Sequence, residues 1–275
     1  MILFPNAKIN LGLDIISRRT DGYHDIATVM IPTQWRDVLE IVPARGTETT
    51  LTVTGRTVAC PVEKNLVMKA YRALWSVVPL PPVDIYLRKI IPDGAGLGGG
   101  SADAAFTLIG LNRLFALDLS DAQLAEIAAV LGAACPFFSY NRPMLCTGIG
   151  TDLSPIDLPD FHGLSLVIIK PPVSVPTAEA YRGVTPSVPA RPIPEILDLP
   201  VKDWQGKLKN DFEKSVFKAF PVIGKIKEDL LSLGAVYASM SGSGSAVYGF
   251  FETDKLSHPD LSAKFKGCLV HSSPL

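Results

Sequence analysis

Between Asp93 and Phe106 the sequence reads "DGAGLGGGSADAAF", with five glycines in the eight residues from Gly94 to Ser101. Glycine at that density costs backbone entropy, and a chain keeps it where something must approach the backbone closely. The small, apolar run from Ser101 onward predicts a helix. The glycines therefore stand at a helix N-terminus, where unpaired N–H groups and the positive end of the helix dipole favour an anion. The Ser101 hydroxyl can add a bond to a phosphate oxygen or to its Mg²⁺. Two familiar anion loops fit less well. Gly94, Gly96 and Gly99 satisfy G-x-G-x-x-G after a predicted strand, but a second helical pattern follows the first before any strand, unlike the compact dinucleotide unit. Gly99 is followed by Gly100 and Ser101 rather than by Lys and Ser or Thr, so the Walker loop fails. The pattern is that of a phosphate cradle, the alternative being a glycine-rich turn with no ligand.

The elements that must position this loop are legible on both sides of it. The strand "VDIYLRKI" leads in, and helices follow from Ser101 to about Ala116 and over "SDAQLAEIAAVLG", capped at Ser120 and stopped by Gly132. Upstream, Lys8–Ile16 alternates as a strand, Val38–Val42 and Thr49–Thr54 read as strands, and Asn65–Val78 has helical spacing, with Leu66, Ala70, Leu74 and Val77 on one face. Downstream, Leu164–Lys170 is a buried strand, Pro186–Pro200 a proline-rich connection, and Lys207–Ala219 and Pro221–Leu233 are helices, the second ended by Gly234. Two strand-like runs then flank a second glycine cluster at Gly242 and Gly244. This order predicts an α+β protein of two lobes with a cleft between them. The first, residues 1–150, carries the phosphate loop, and the second, residues 151–275, the second glycine loop.

Composition narrows the function. The 275 residues are 47% apolar and 19% charged with a formal net charge of −1, which gives no electrostatic footprint for nucleic acid or an acidic membrane. The 23 prolines are spread along the chain, which argues against wholesale disorder. Cys60, Cys135, Cys146 and Cys268 form no metal-ligand pattern and read as small buried hydrophobes in a reducing compartment. No basic start with an apolar run follows Met1, and no stretch reaches the ~20 apolar residues of a membrane span. A soluble, cytoplasmic protein is expected.

Three stretches together carry a family resemblance. "PDGAGLGGGSADAA" resembles the central motif of the GHMP small-molecule kinases, "PNAKINLGLDIISRRTDGYHDIATVM" resembles their first motif, and "ASMSGSGSAVYGFF" their third. Within that family, "AKINLGL", "RRTDGYH" and "LGGGSADAA" are similar to the branch that phosphorylates 4-diphosphocytidyl-2-C-methyl-D-erythritol at its 2-hydroxyl, in the non-mevalonate route to isoprenoids. The resemblance implies a two-lobed GHMP kinase fold with nucleotide and substrate in the interlobe cleft, ATP and Mg²⁺ as cofactors, and a small-molecule substrate with a cytidine diphosphate group. It implies no nucleic acid or membrane partner, and a monomer or weak homodimer. By resemblance, Lys8 offsets charge during transfer, where residue type alone suggests a solvent-facing edge-strand lysine. Asn10, on the same strand face, would bond substrate. Tyr23 would offer its ring face, and His24 a hydrogen bond, to the cytosine, in a stretch that otherwise reads as an exposed turn. Thr177 and Tyr181 would contact the same group. Asn65 would flank adenine as well as capping a helix, and Lys89 would touch nucleotide unless it is merely a strand-end lysine. Pro92, Gly94, Gly96, Leu97, Gly98, Gly99, Gly100, Ser101 and Ala102 would line the phosphate site, Ser101 also serving the metal. Gly242 and Gly244 would close over substrate.

One position departs from the family's pattern. Its catalytic aspartate stands in a "GAD" triplet before a short apolar run, and here the triplet is Gly132-Ala133-Ala134, followed by "CPFF". Ala134 has no carboxylate, so impaired catalysis is expected. Asp103, expected in the first turn of the Ser101 helix, is the nearest acid after the cradle and reads as a complement to the helix dipole. The remaining alternatives are another GHMP kinase, for mevalonate or homoserine, and a catalytically silent nucleotide-binding protein.

Overall fold

The computed structural model describes residues 1–58, 60–256, 261 and 263–275. Along the first half run β1 (Ile2–Leu3), β2 (Asn6–Arg18), β3 (His24–Arg36), β4 (Val38–Pro43), β5 (Thr50–Gly55), α1 (Leu66–Trp75), β6 (Val83–Lys89), α2 (Gly99–Leu114), α3 (Asp121–Ala129) and α4 (Cys135–Tyr140). The second half holds β7 (Met144–Thr147), β8 (Asp152–Pro155), β9 (Leu164–Lys170), α5 (Thr177–Arg182), α6 (Ile193–Leu197), α7 (Glu213–Ala219), α8 (Pro221–Ser232), β10 (Tyr237–Met240), β11 (Val247–Glu252) and β12 (Leu269–Pro274). This is the α+β class expected.

Two compact units divide the chain, but not at residue 150. One comprises Met1–Lys8, Pro32–Asp93 and Gly98–Arg142; the other comprises Ile9–Ile31, Gly94–Leu97 and Pro143–Leu275. The expected single boundary is corrected for a physical reason. Strands β2 and β3 have 13 residues each, roughly 40 Å of extended chain, enough for one strand to contribute to two cores. The glycine loop is also shared, passing from the second unit to the first between Leu97 and Gly98.

In the first unit the sheet order is β1-β4-β6-β5, with β4 antiparallel and β5 parallel to β6. A parallel neighbour requires a crossover, and α1 supplies it. Strand β6 alternates strictly, so Val83, Ile85, Leu87 and Lys89 all point to the buried side. Helix α2 packs closely there: a side chain at Gly110 would place its Cβ 2.8 Å from Leu3 and from Ile41. Leu39, Ile41, Leu74, Ile85, Leu108 and Leu111 form the centre of this core.

The second unit has the sheet β10-β11-β9-β12, antiparallel throughout, and most of β2-β3-β7-β8. Leu166–Ile169 is buried on both faces, as its unbroken apolar run predicts. The helix expected from Lys207 begins only at Glu213. Lys209–Asp211 lies along β2 instead, with Leu13 N donating to Lys209 O (2.8 Å) and Asp211 N to Leu13 O (2.9 Å). Strand pairing there competes successfully with helix propensity. The proline-rich connection contains the short helix α6, and Cys60 is exposed rather than buried. Among the described residues no helix is long and apolar enough to cross a membrane.

Candidate functional site

The phosphate loop enters the first unit at Gly98, the N-cap of α2, with φ of +71° and no side chain capping the helix. The first-turn amides of such a helix lack intrahelical partners, while the amide of Ala102 already bonds Gly98 O at 2.8 Å. The glycines after Leu97 differ in what excludes a side chain. A Cβ at Gly98 would lie 2.9 Å from the Phe138 ring and 3.2 Å from Lys8 Cγ; at Gly99, 2.9 Å from Ile91. At Gly100 it would meet only Leu66, at an ordinary 3.6 Å. Packing thus requires glycine at 98 and 99 and leaves it unexplained at 100.

The catalytic candidates gather around the same turn. Lys8 is buried on β2, not the solvent-facing lysine its residue type suggests, and its stem passes Gly98 beside Phe138. Ala134 is the N-cap of α4, one turn before Phe138 and so on the same helix face. Its neighbour Cys135 is pushed up by burial and drawn partly back by a hydrogen bond with Ser101. Asn65 caps α1, its Oδ1 accepting from Val67 N at 3.0 Å, and Pro92 is buried at the loop's start.

Lys89 ends β6, as its strand-end reading has it, whereas Asp103 is arranged differently from its own reading. Lys89 is buried, and Nζ donates to Asp37 Oδ2 at 2.5 Å and to Asp103 Oδ2 at 2.7 Å. Asp103 lies on the buried side of α2, beyond the first turn, where it serves this ion pair rather than the helix dipole. Burial pushes its carboxyl upward against the pull of Lys89. Sequence reasoning missed Asp37 altogether.

In the second unit the two glycine loops meet backbone to backbone. Ser241 Oγ donates to Gly96 O at 2.8 Å, Ala246 N donates to Ala95 O at 3.0 Å, and a Cβ at Gly96 would fall 1.9 Å from Ser241 O. Gly94 approaches Ser174, and Leu97 is buried. Asn10 is buried beside them: Nδ2 donates to Thr28 Oγ1 at 2.9 Å and Oδ1 accepts from Ser241 at 3.4 Å. Gly242 lies against Asn10 and Gly96, while Gly244 packs on Met240. Asn210, unremarked in the sequence, holds this loop by donating to Met240 O and Gly242 O, both at 2.8 Å.

The aromatic cluster lies in the same unit. Asp21 Oδ1 accepts from Tyr23 N at 3.0 Å and fixes the turn, leaving the Tyr23 ring 60% exposed. His24 stacks on Tyr181 with ring centroids 4.8 Å apart and planes 21° from parallel. Phe212, also missed in the sequence, meets Tyr181 edge-on at 4.8 Å. Thr177, the first residue of α5, is hydrogen-bonded to Ser243 at 3.3 Å.

Residues 65–139 match the family described as GHMP kinases N terminal domain, and residues 201–259 match GHMP kinases C terminal. The chain is 49% identical over its whole length to the 4-diphosphocytidyl-2-C-methyl-D-erythritol kinase of Parabacteroides distasonis, covering 100% of both chains. This chain belongs to the GHMP kinase family. The similarly named enzyme of Bacteroides fragilis is also 49% identical, over 96% of this GHMP kinase and 97% of the relative. A crystal structure of 4-(cytidine 5'-diphospho)-2C-methyl-D-erythritol kinase superposes with a TM-score of 0.81 at 32% identity, covering 99% of this chain and 98% of that one.

Proposed function

We propose that this kinase transfers the γ-phosphoryl group of ATP to the 2-hydroxyl of 4-diphosphocytidyl-2-C-methyl-D-erythritol. The observation that carries the reading is the uncapped first turn of α2, with Gly100 open where phosphate would approach. There Gly98, Gly99, Gly100 and the Ser101 hydroxyl hold the triphosphate. Lys8, whose stem passes Gly98, offsets the charge that develops on transfer. Asn65 flanks the adenine. In the second unit the exposed Tyr23 ring, the His24–Tyr181 stack and Thr177 hold the cytidine group, and Asn10, Gly242 and Gly244 contact the remainder of the substrate.

Mg²⁺ fits this chain as an ion carried in on the triphosphate. Among the described residues no three His, Cys, Asp or Glu side chains gather, and the buried Asp37 and Asp103 are engaged with Lys89. Ser101 places a hydroxyl in the first turn of α2, which suits an ion that keeps its waters and binds chiefly through substrate phosphates. Such an ion supplies neutralisation of phosphate charge. Deprotonation of the acceptor hydroxyl falls to position 134, where a methyl group stands, so turnover in this chain is slow.

The test is ADP release in a coupled assay, with ligand binding measured in parallel. ADP should appear slowly, and only when the cytidyl substrate is present; cytidine diphosphate should compete with it. Equal or faster release with mevalonate or homoserine would overturn the assignment.

A further inference from the structure

Three segments of the first unit converge on one ammonium group. Asp37, between β3 and β4, is fully buried, and its Oδ1 accepts from Ile90 N at 2.5 Å and Ile91 N at 2.8 Å. These two residues lead from β6 toward the glycine loop. Its other oxygen accepts from Lys89, which also donates to Asp103 on α2. A Cβ at Gly99 would lie 3.4 Å from Lys89 Nζ, so the ammonium sits beneath the first residue of α2.

A nucleotide contact by Lys89 is hard to reconcile with this arrangement. An ammonium has three donors; two point at carboxylates, and the side chain is only 2% exposed. Nor is the cluster the cheapest way to fill a core. Buried ion pairs are often replaced by apolar residues without loss of stability, and here one ammonium faces two carboxylates, with Asp103 Oδ1 left buried and unpartnered. What such a cluster supplies that leucines would not is directional geometry, fixing one backbone relative to another.

We propose that Asp37, Lys89 and Asp103 are positioning residues that tie the strand entering the phosphate loop to the helix leaving it, Lys89 acting through this tie rather than by touching nucleotide. The proposal rests on the phosphate-cradle reading above. It separates two substitutions at one position. Asp103→Ala removes the tie to α2 while leaving Lys89 paired with Asp37; Asp103→Asn keeps a carbonyl that accepts from Lys89.

Calorimetric titration of the full chain with ATP, and separately with the cytidyl substrate, tests it. Asp103→Ala should weaken ATP at least tenfold and leave the cytidyl substrate within threefold, and Asp103→Asn should hold ATP within threefold. A merely structural role would move both ligands together and would not be rescued by Asn. Should Asp103→Ala not fold, the double variant Lys89→Met/Asp103→Leu replaces the pair with apolar side chains and should show the same split. Unchanged ATP affinity, equal loss of both ligands, or failure of both variants to fold overturns the proposal. An unmodified chain that binds no ATP overturns the phosphate-cradle reading, and this proposal with it.

Discussion

A methyl group at position 134 can neither accept a proton nor orient an ammonium, and its surroundings make that consequential. Ala134 precedes Phe138 by one turn of α4, and Phe138 shares the Gly98 surface with the stem of Lys8. A carboxylate at 134 would also stand at the N-terminus of α4, where the helix dipole keeps it ionised and ready as a base. A positioned general base contributes about 10²–10⁴ in rate, equivalent to roughly 3–5 kcal/mol of barrier. Ala134→Asp should therefore raise kcat by two or more orders of magnitude and barely change either KM. Steady-state kinetics checks this, and ordinary turnover of the unmodified chain that aspartate does not improve would refute it. Tyr23 allows a separate test on the substrate side. Its ring is 60% exposed, so Tyr23→Ala should leave folding intact. Losing a base-stacking face should weaken the cytidyl substrate by roughly 1–3 kcal/mol, with ATP affinity unchanged by calorimetry.

Gly98 and Gly100, two residues apart in one loop, should respond to alanine with opposite signs. Gly98 has φ of +71° and an added Cβ would lie 2.9 Å from Phe138, so Gly98→Ala should lower the melting temperature before any ligand is considered. Gly100 is helical with only Leu66 nearby, so Gly100→Ala should raise stability by about 0.4–1 kcal/mol by restricting the unfolded chain. If phosphate approaches the backbone there, the same change weakens ATP; thermal melts and ATP titrations together separate packing from binding. This contrast also marks what the sequence could reveal. Glycine density pointed to a crowded backbone, but the crowding partners, Phe138 for Gly98 and Ser241 for Gly96, are 40 and 145 residues away in the chain. The ion cluster was hidden similarly, since Lys89 meets Asp37 across 52 positions. Strand β3 escaped because Pro32 interrupts its pattern, and α4, at six residues, is too short to display a period. The two glycine loops were legible because each concentrates one unusual residue type in a short stretch, whereas Lys8 and Tyr23 stood out only through the family resemblance.

Across the whole molecule, buried carboxylates rather than net charge should set how stability varies with pH. Asp14, on β2, lines a cavity of about 430 Å³ in the second unit together with Asp211, Lys209 and Arg191. Burial foremost, then the charge of Asp211, pushes its carboxyl up to about 6, while Lys209 opposes. A carboxyl raised on folding binds its proton more tightly in the native state than in the unfolded chain. Its contribution is therefore fully present below the unfolded value of about 4 and is lost as pH rises through about 6. Asp103 is shifted in the same direction by burial. The exposed Asp21 and Asp25 are shifted downward by their hydrogen bonds to Tyr23 and Ser17 and to Arg19, so their effects are lost only as the pH falls below the usual carboxylate range, and solvent screens them. Asp14→Asn removes the ionisation while keeping the shape. It should raise the melting temperature at pH 8, and the two proteins should converge near pH 4. Melts in a buffer series from pH 4 to 8 measure the difference directly; a gap of the same size at both ends would mean that Asp14 titrates normally and that solvent, not the cavity wall, sets its charge.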